Sequence, residues 1–325
     1  MLNMTYKLFI KWSTAAVLTL FSVSQVTAQT ITLGEAIPVR DVSLSSDYQT
    51  IIAPQGSDVV LFRMGHNEKK ALSGGHKTEV TAVDIYDKTA MAVSGDGDGN
   101  IVLWDLATGT LRWKISAGVT FVNDVVFTFT GLEVIAALAD GRINIYATAD
   151  GKLIRELQPG YGAVNSLASC MAGFIFASAH DDGSVSVWSL ENWSEKQRFS
   201  NHKKPATAVT FSEDGTVMAS AGADGRAVIY NVEFFEATFK REYKYNIKML
   251  SAFAIYTDNI TMAAAGFGPV YTISYRSAHY PQKMKTQVHA IKVFALGASS
   301  FRLAMATESG LMVIDSSSMK LEYSD

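Results

Sequence analysis

A single cysteine, Cys170, stands in the 325 residues. That excludes an intrachain disulfide, a CxxCH haem attachment and any cysteine zinc cluster. Cys170 also lies too deep in the chain to anchor a lipoprotein, and reads as a small buried apolar residue late in a strand. Proline is scarce as well: six residues, gathered into no linker. With no low-complexity stretch to mark a boundary, the chain reads as one domain. It lacks a cationic excess, since 28 Lys and Arg face 31 Asp and Glu for a net charge of -3. This argues against nucleic acid and against attraction to an anionic membrane. No long apolar run follows the first 28 residues, so no later segment is expected to insert stably in a membrane. No Gly-rich phosphate loop joins a strand to a helix.

What the chain does have begins at its amino terminus. Lys7 and Lys11 precede the apolar "STAAVLTLFSV", and Val26-Thr27-Ala28 forms a small-residue cleavage site. Residues 1–28 therefore read as a secretory signal too short to serve as a spanning anchor, and 29–325 as the exported domain. Its removal takes away two lysines and no acid, so the formal charge goes from -3 to -5. The bacterial periplasm is the expected destination. Sequons at Asn192 and Asn259 keep a eukaryotic secretory route as the alternative.

The body of the chain repeats. "DGNIVLW" from Asp98 returns as "DGRINIY" from Asp140, "DGSVSVW" from Asp182 and "DGRAVIY" from Asp224, 42 residues apart each time. On the same period Gly56 opens "GSDVVLF", Glu308 opens "ESGLMVI" and Gly266 opens the degenerate "GFGPVYT". Seven units result. In the second, strands are expected at about 79–86, 91–94, 101–105 and 111–115, with no helical period between them. Four strands per unit and no helices predict an all-β propeller of seven four-stranded antiparallel blades, because such units cannot bury their faces alone.

Gly75-His76, Trp104-Asp105 and the turn "FSEDG" at 211–215 resemble the WD40 family, over essentially all of residues 30–325. The likeness is strong in units two to five; units one, six and seven lack the His, the Asp or the Trp. It implies a structural relay in which Trp donates to Ser, Ser bonds to His, and His bonds to the turn Asp. The matching residues are His76, Ser94, Asp98 and Trp104, and again His202, Ser220, Asp224 and Tyr230. Although Ser, His and Asp are the types of a hydrolytic triad, an enzyme has little need to repeat one three units later, and no nucleophile elbow accompanies either serine.

Two further imitations of chemistry fail on spacing. Asp96, Asp98 and Asn100 open like a calcium loop, but Ile101 and Ala107 occupy the required glycine and glutamate places. "DLATGTLRW" at 105–113 matches the tryptophan-docking motif of quinoprotein propellers, yet the equivalent turn of unit three carries no tryptophan. His66, His180, His279 and His289 show no ligand spacing, and His180-Asp181-Asp182 falls in a turn. No catalytic, metal or cofactor residue is assigned.

In the propeller this chain resembles, the loops entering the blades lie on one face around the channel. The register gives "GHKTE" at 75, "AGVTF" at 117, "PGYGA" at 159, "NHKKP" at 201, "YKYNI" at 243 and "KTQVH" at 285. Lys203, Lys204, Tyr243, Lys244, Tyr245, Lys285 and His289 are expected to form one basic and aromatic arc suited to an acidic protein partner. The functional expectation is a monomeric, non-enzymatic scaffold or accessory subunit. Its alternative is a quinoprotein-like or hydrolytic propeller that binds a cofactor or small ligand in the channel, where the register places Arg40 or Asp41, Ala82, Asp124, Ser166, Ala208, Ser251 and Lys292.

Overall fold

The computed structural model describes residues 40–63, 69–170, 174–212, 214–233 and 236–244, then the strands at 250–255, 261–266, 270–274, 277–282, 288–297, 300–307 and 310–315. Its strands come in groups of four. The first sheet holds β1 (Ser43–Leu44), β2 (Thr50–Gln55), β3 (Asp58–Arg63) and β4 (Lys69–Leu72). The second holds β5 (Val80–Tyr86), β6 (Met91–Asp96), β7 (Asn100–Asp105) and β8 (Thr110–Ser116), within one or two residues of expectation. A single turn of 3-10 helix, Asp87–Thr89, joins β5 to β6, where the sequence reading placed none.

The third sheet holds β9 (Val122–Phe127), β10 (Glu133–Leu138), β11 (Ile143–Ala147) and β12 (Leu153–Leu157). The fourth holds β13 (Val164–Ser169), β14 (Ile175–His180), β15 (Val185–Ser189) and β16 (Glu195–Phe199). The fifth holds β17 (Ala206–Phe211), β18 (Val217–Gly222), β19 (Arg226–Glu233) and β20 (Glu236–Lys244). The sixth holds β21 (Leu250–Ile255), β22 (Thr261–Gly266), β23 (Val270–Ser274) and β24 (Ser277–Gln282). Only β25 (Val288–Gly297), β26 (Ser300–Thr307) and β27 (Gly310–Asp315) are described in the seventh. From the repeat register, "MKLEYSD" at 319–325 is expected to supply its outer strand, with Ile31 to Leu33 beside it or in its place to close the ring; both segments lie outside the described residues. All pairings are antiparallel and follow chain order.

Burial explains the order. β6, β10, β14 and β18 are buried almost throughout because both faces of each sheet are covered by neighbours, whereas outer strands such as β8 and β12 are mostly exposed and carry the charges. Ile52, Val59 and Leu72 of the first sheet share a core with Val80, Ala92, Val102 and Trp104 of the second. Comparable cores join the second to the third, the third to the fourth and the fourth to the fifth. Inner strands β17, β21 and β25 then lie side by side. Val42, Ile51, Ala53 and Val60 finally pack on Ala304, Ala306 and Leu311, so the seventh sheet meets the first.

The turn between β6 and β7 answers the calcium question. One oxygen of Asp96 accepts the main-chain N–H of Asp98 at 3.0 Å and of Asn100 at 2.8 Å, so the carboxylate serves the turn. Gly99 follows with φ +84°. A Cβ there would stand 2.0 Å from the Gly118 carbonyl, so only glycine lets the next loop close over the turn. Among the described residues no helix is long and apolar enough to cross a membrane.

Candidate functional site

Three places gather polar side chains: the interiors of the sheets, the face of the entering loops, and the channel lined by the inner strands.

In the second sheet Trp104 Nε1 donates to Ser94 Oγ at 2.8 Å, His76 Nε2 lies 2.7 Å from the same oxygen, and His76 Nδ1 lies 2.8 Å from a carboxylate. That carboxylate is Asp96, which corrects the assignment to Asp98. In an extended strand residues i and i+2 share a face, so Asp96 at the end of β6 points the same way as Ser94. Asp98 is exposed in the turn. Burial holds His76 below its ordinary value against the opposing pull of Asp96, which keeps the ring neutral. Burial would raise Asp96, but hydrogen bonds from His76 and Asn100 outweigh it and keep this acid ionised. Ser94 is fully buried and its oxygen already receives the indole, so it has no open side from which to attack a substrate.

The fifth sheet repeats the device with the expected acid. His202 Nε2 is 2.8 Å from Ser220 Oγ, and His202 Nδ1 is 3.2 Å from Asp224. The place two residues after Ser220 is Gly222, where a Cβ would lie 2.5 Å from His202 Nδ1; the acid must therefore come from the turn. Tyr230 keeps its relay contact with Ser220 and also donates to Asn201 Oδ1 at 3.2 Å; burial pushes the phenol up to about 12, against the opposing pull of the Ser220 bond.

A third relay went unread in the sequence. In the fourth sheet Trp188 donates to Ser178 at 2.7 Å and Ser178 lies 2.8 Å from His180 Nε2. Here the histidine comes from β14 itself, at the place Asp96 takes in β6, and Gly160 stands in open space where the second and fifth sheets have their loop histidine. His180 is wholly buried with Nδ1 unpartnered, its ring edge-on to Tyr161 at 5.3 Å. Burial pushes it down to about 4. The signal was present in "SAH": a serine on the relay period followed two residues later by histidine.

Trp113 of the quinoprotein-like stretch donates to the Thr148 carbonyl at 2.8 Å, tying the second sheet to the third. Cys170 is buried just past β13. Among the described residues no group of three His, Cys, Asp or Glu side chains is assembled for a metal.

On the loop face the expected arc is only partly described. Lys203 and Lys204 are exposed. Tyr243 and Lys244 belong to β20 rather than to a loop, paired with Ala227 and Arg226, because β20 runs on with a bulge opposite Ile229 and Tyr230. Tyr245 and Lys285 lie outside the described residues. His289 is half-buried in β25 and lines the channel, not the loop face.

The inner strands stitch themselves around the channel in two series. Thr81 Oγ1 donates to the Val122 carbonyl at 2.5 Å, Asn123 Nδ2 to Val164 at 2.9 Å, and Asn165 Nδ2 to Ala206 at 2.9 Å. Asp41 accepts the Val83 N–H at 2.8 Å, Asp84 that of Phe127 at 2.8 Å, Asp124 that of Leu167 at 2.7 Å, and Ser166 that of Val209 at 3.3 Å. The sequence placed Asp41, Asp124 and Ser166 on this ring and missed Asp84, which sits two residues past Ala82 in the period. With Lys292 of β25, the acids border a cavity of about 130 Å³.

The relays fall within segments that match a known family. The model of the WD domain, G-beta repeat (WD40), matches residues 68–105, 151–189 and 193–231. Each of those three segments matches as a WD40 repeat. Each match starts in or beside the outer strand of one sheet and ends in the third strand of the next, and the matches contain the three Ser–His pairs. The third sheet is not covered by a full match. It has Gly118 and Ala136 where the second and fifth sheets place relay histidine and serine. No curated protein matches the chain.

Proposed function

We propose that this WD40-repeat protein is an exported, non-enzymatic scaffold whose seven sheets act as blades of one ring and hold a protein partner across the entering-loop face. WD40 repeats commonly bind proteins, which supports the class of function. The observation that carries the reading is the loop at 117–121. Val119 is completely exposed and Phe121 is 57% exposed. Yet the loop backbone is fixed, with Ala117 N bonded to Gly99 O at 2.8 Å, Ala139 N to Phe121 O at 3.0 Å, and Arg142 to Ala117 O at 2.9 Å. An ordered loop that presents apolar side chains to water has its conformation set before a partner arrives, which lowers the entropy lost on binding.

Exposed lysines on the entering loops favour an acidic partner, although Asp98 and Asp181 also stay exposed in the turns of this face. Turn acids Asp140, Asp182 and Asp224 are held by Arg142, Arg198 and His202 with Arg226. Lys77, Lys203 and Lys204 remain exposed. Affinity capture with mass spectrometry, run on the intact protein and on variants, tests the proposal. Phe121→Ala should lose the partner at all salt concentrations. The pair Lys203→Glu, Lys204→Glu should weaken capture most at low salt, and Lys88→Glu in the β5–β6 connection should leave it intact. Retention by both loop variants, or loss only at Lys88, would overturn it.

A further inference from the structure

Charge is not needed for the channel stitching: Ser166 accepts the Val209 N–H without it, and Thr81, Asn123 and Asn165 form a wholly neutral second series. Three successive interfaces nonetheless use carboxylates. Asp41 binds the second sheet, Asp84 the third and Asp124 the fourth, and all three line one cavity. The cavity, about 130 Å³, opens to solvent, and the three acids are half-buried on its wall, so the confined water there screens their charges less fully than bulk solvent would. The other charged or titratable groups facing the cavity are Arg40, His289 and Lys292. Arg40 is bound to Glu79 at 3.0 Å. Lys292 is the cation that acts electrostatically on all three acids.

We propose that Asp41, Asp84 and Asp124 form a proton-responsive clasp: protonated, they join the first four sheets without mutual repulsion, and ionised, they push apart unless Lys292 of the seventh sheet compensates. Lys292 thereby couples the last sheet to the first three inter-sheet joints. The electrostatics agree in direction. Burial pushes Asp124 up to about 8, with the charge of Asp41 adding and Lys292 opposing. Burial likewise pushes Asp41 up to about 6 and raises Asp84, Lys292 opposing in both.

An acid whose folded value lies above its unfolded value binds more protons in the folded state, so its stabilisation is complete below about pH 4 and is lost as pH rises through the folded value. For Asp41 the loss is centred near pH 6 and for Asp124 near pH 8. The buried histidines act oppositely but have finished titrating by about pH 7.5, so above it they do not mask the channel acids.

Thermal unfolding of the full chain at pH 7.5 and 9 tests this, with carboxyl-carbon NMR titration as a direct readout. The melting temperature of the unmodified protein should fall by about 2 °C or more over that interval. Asp124→Asn keeps an acceptor for the Leu167 N–H and removes the charge, so it should flatten the fall and melt above the unmodified protein at pH 9. Lys292→Met should steepen the fall. Asp124→Ala should melt lower at both pH values. An unchanged slope in Asp124→Asn or in Lys292→Met, or an Asp124 carboxyl titrating below pH 5, would overturn the clasp.

Discussion

Asp96 lies one strand pleat beyond Ser94, and that offset lets its carboxylate take the Nδ1 edge of His76 at 2.8 Å while Ser94 takes the Nε2 edge at 2.7 Å. Asp96→Ala and His76→Ala are each expected to lower stability by about 1–3 kcal/mol, from the buried groups left unsatisfied. The double variant should cost much less than their sum, because both break one network. Asp98→Ala should be close to neutral. Denaturant unfolding of the four proteins checks this, and a large effect at Asp98 with none at Asp96 would restore the original assignment.

Glycine at two positions separates crowding from backbone strain. Gly99→Ala meets both a φ of +84° and a carbonyl 2.0 Å from the new Cβ. Gly74→Ala meets only φ +82°, with nothing within 4 Å. The second substitution should cost about 1–2 kcal/mol. The first should cost distinctly more, by roughly another 1–3 kcal/mol of forced displacement. Equal melting temperatures for the two variants would mean that the 117–121 loop yields freely.

Buried neutral histidines give an acid-side dependence opposite in sign to that of the channel. Burial lowers His76, His180 and His202 in the folded state, so the unfolded chain binds more protons below about pH 6.5 and stability falls as the solution is acidified. His180, pushed down to about 4, should contribute across the whole interval from 6.5 to 4. His180→Asn, which can still bond Ser178, should flatten the decline in melting temperature there. A decline as steep as that of the unmodified protein would assign it to other groups.

Export predicts a processed chain. Mass spectrometry of the protein recovered from the periplasm of an expressing bacterium should give a mature form beginning at Gln29. Retention of residues 1–28 on a cytoplasmic product would remove the signal from the reading.

The strands were legible because a 42-residue period carries both the turn Asp-Gly and the buried third strand, as in Asn100–Asp105 and Val185–Ser189. The same period misled at the relay. It aligns Asp98 with Asp224, but whether the acid comes from the strand or the turn depends on whether the place two residues after the serine holds Asp96 or Gly222. Asp84 was hidden for a related reason: the channel acids are defined by which neighbouring N–H they reach, and Asp84 reaches Phe127 from two residues off the column. Tyr243 and Lys244 resembled a loop by register alone, and only the pairing to Ala227 and Arg226 shows the outer strand continuing.

The offset between repeat and sheet bears on how such a chain changes length. Excising residues 151–189 would remove β12 together with β13, β14 and β15, leaving β9, β10 and β11 followed by β16. Those four would be free to recombine as one complete sheet. Duplication or loss of a gene segment in this phase therefore adds or removes the equivalent of a whole sheet and leaves no three-stranded remnant at the junction, so the number of units can change in whole steps.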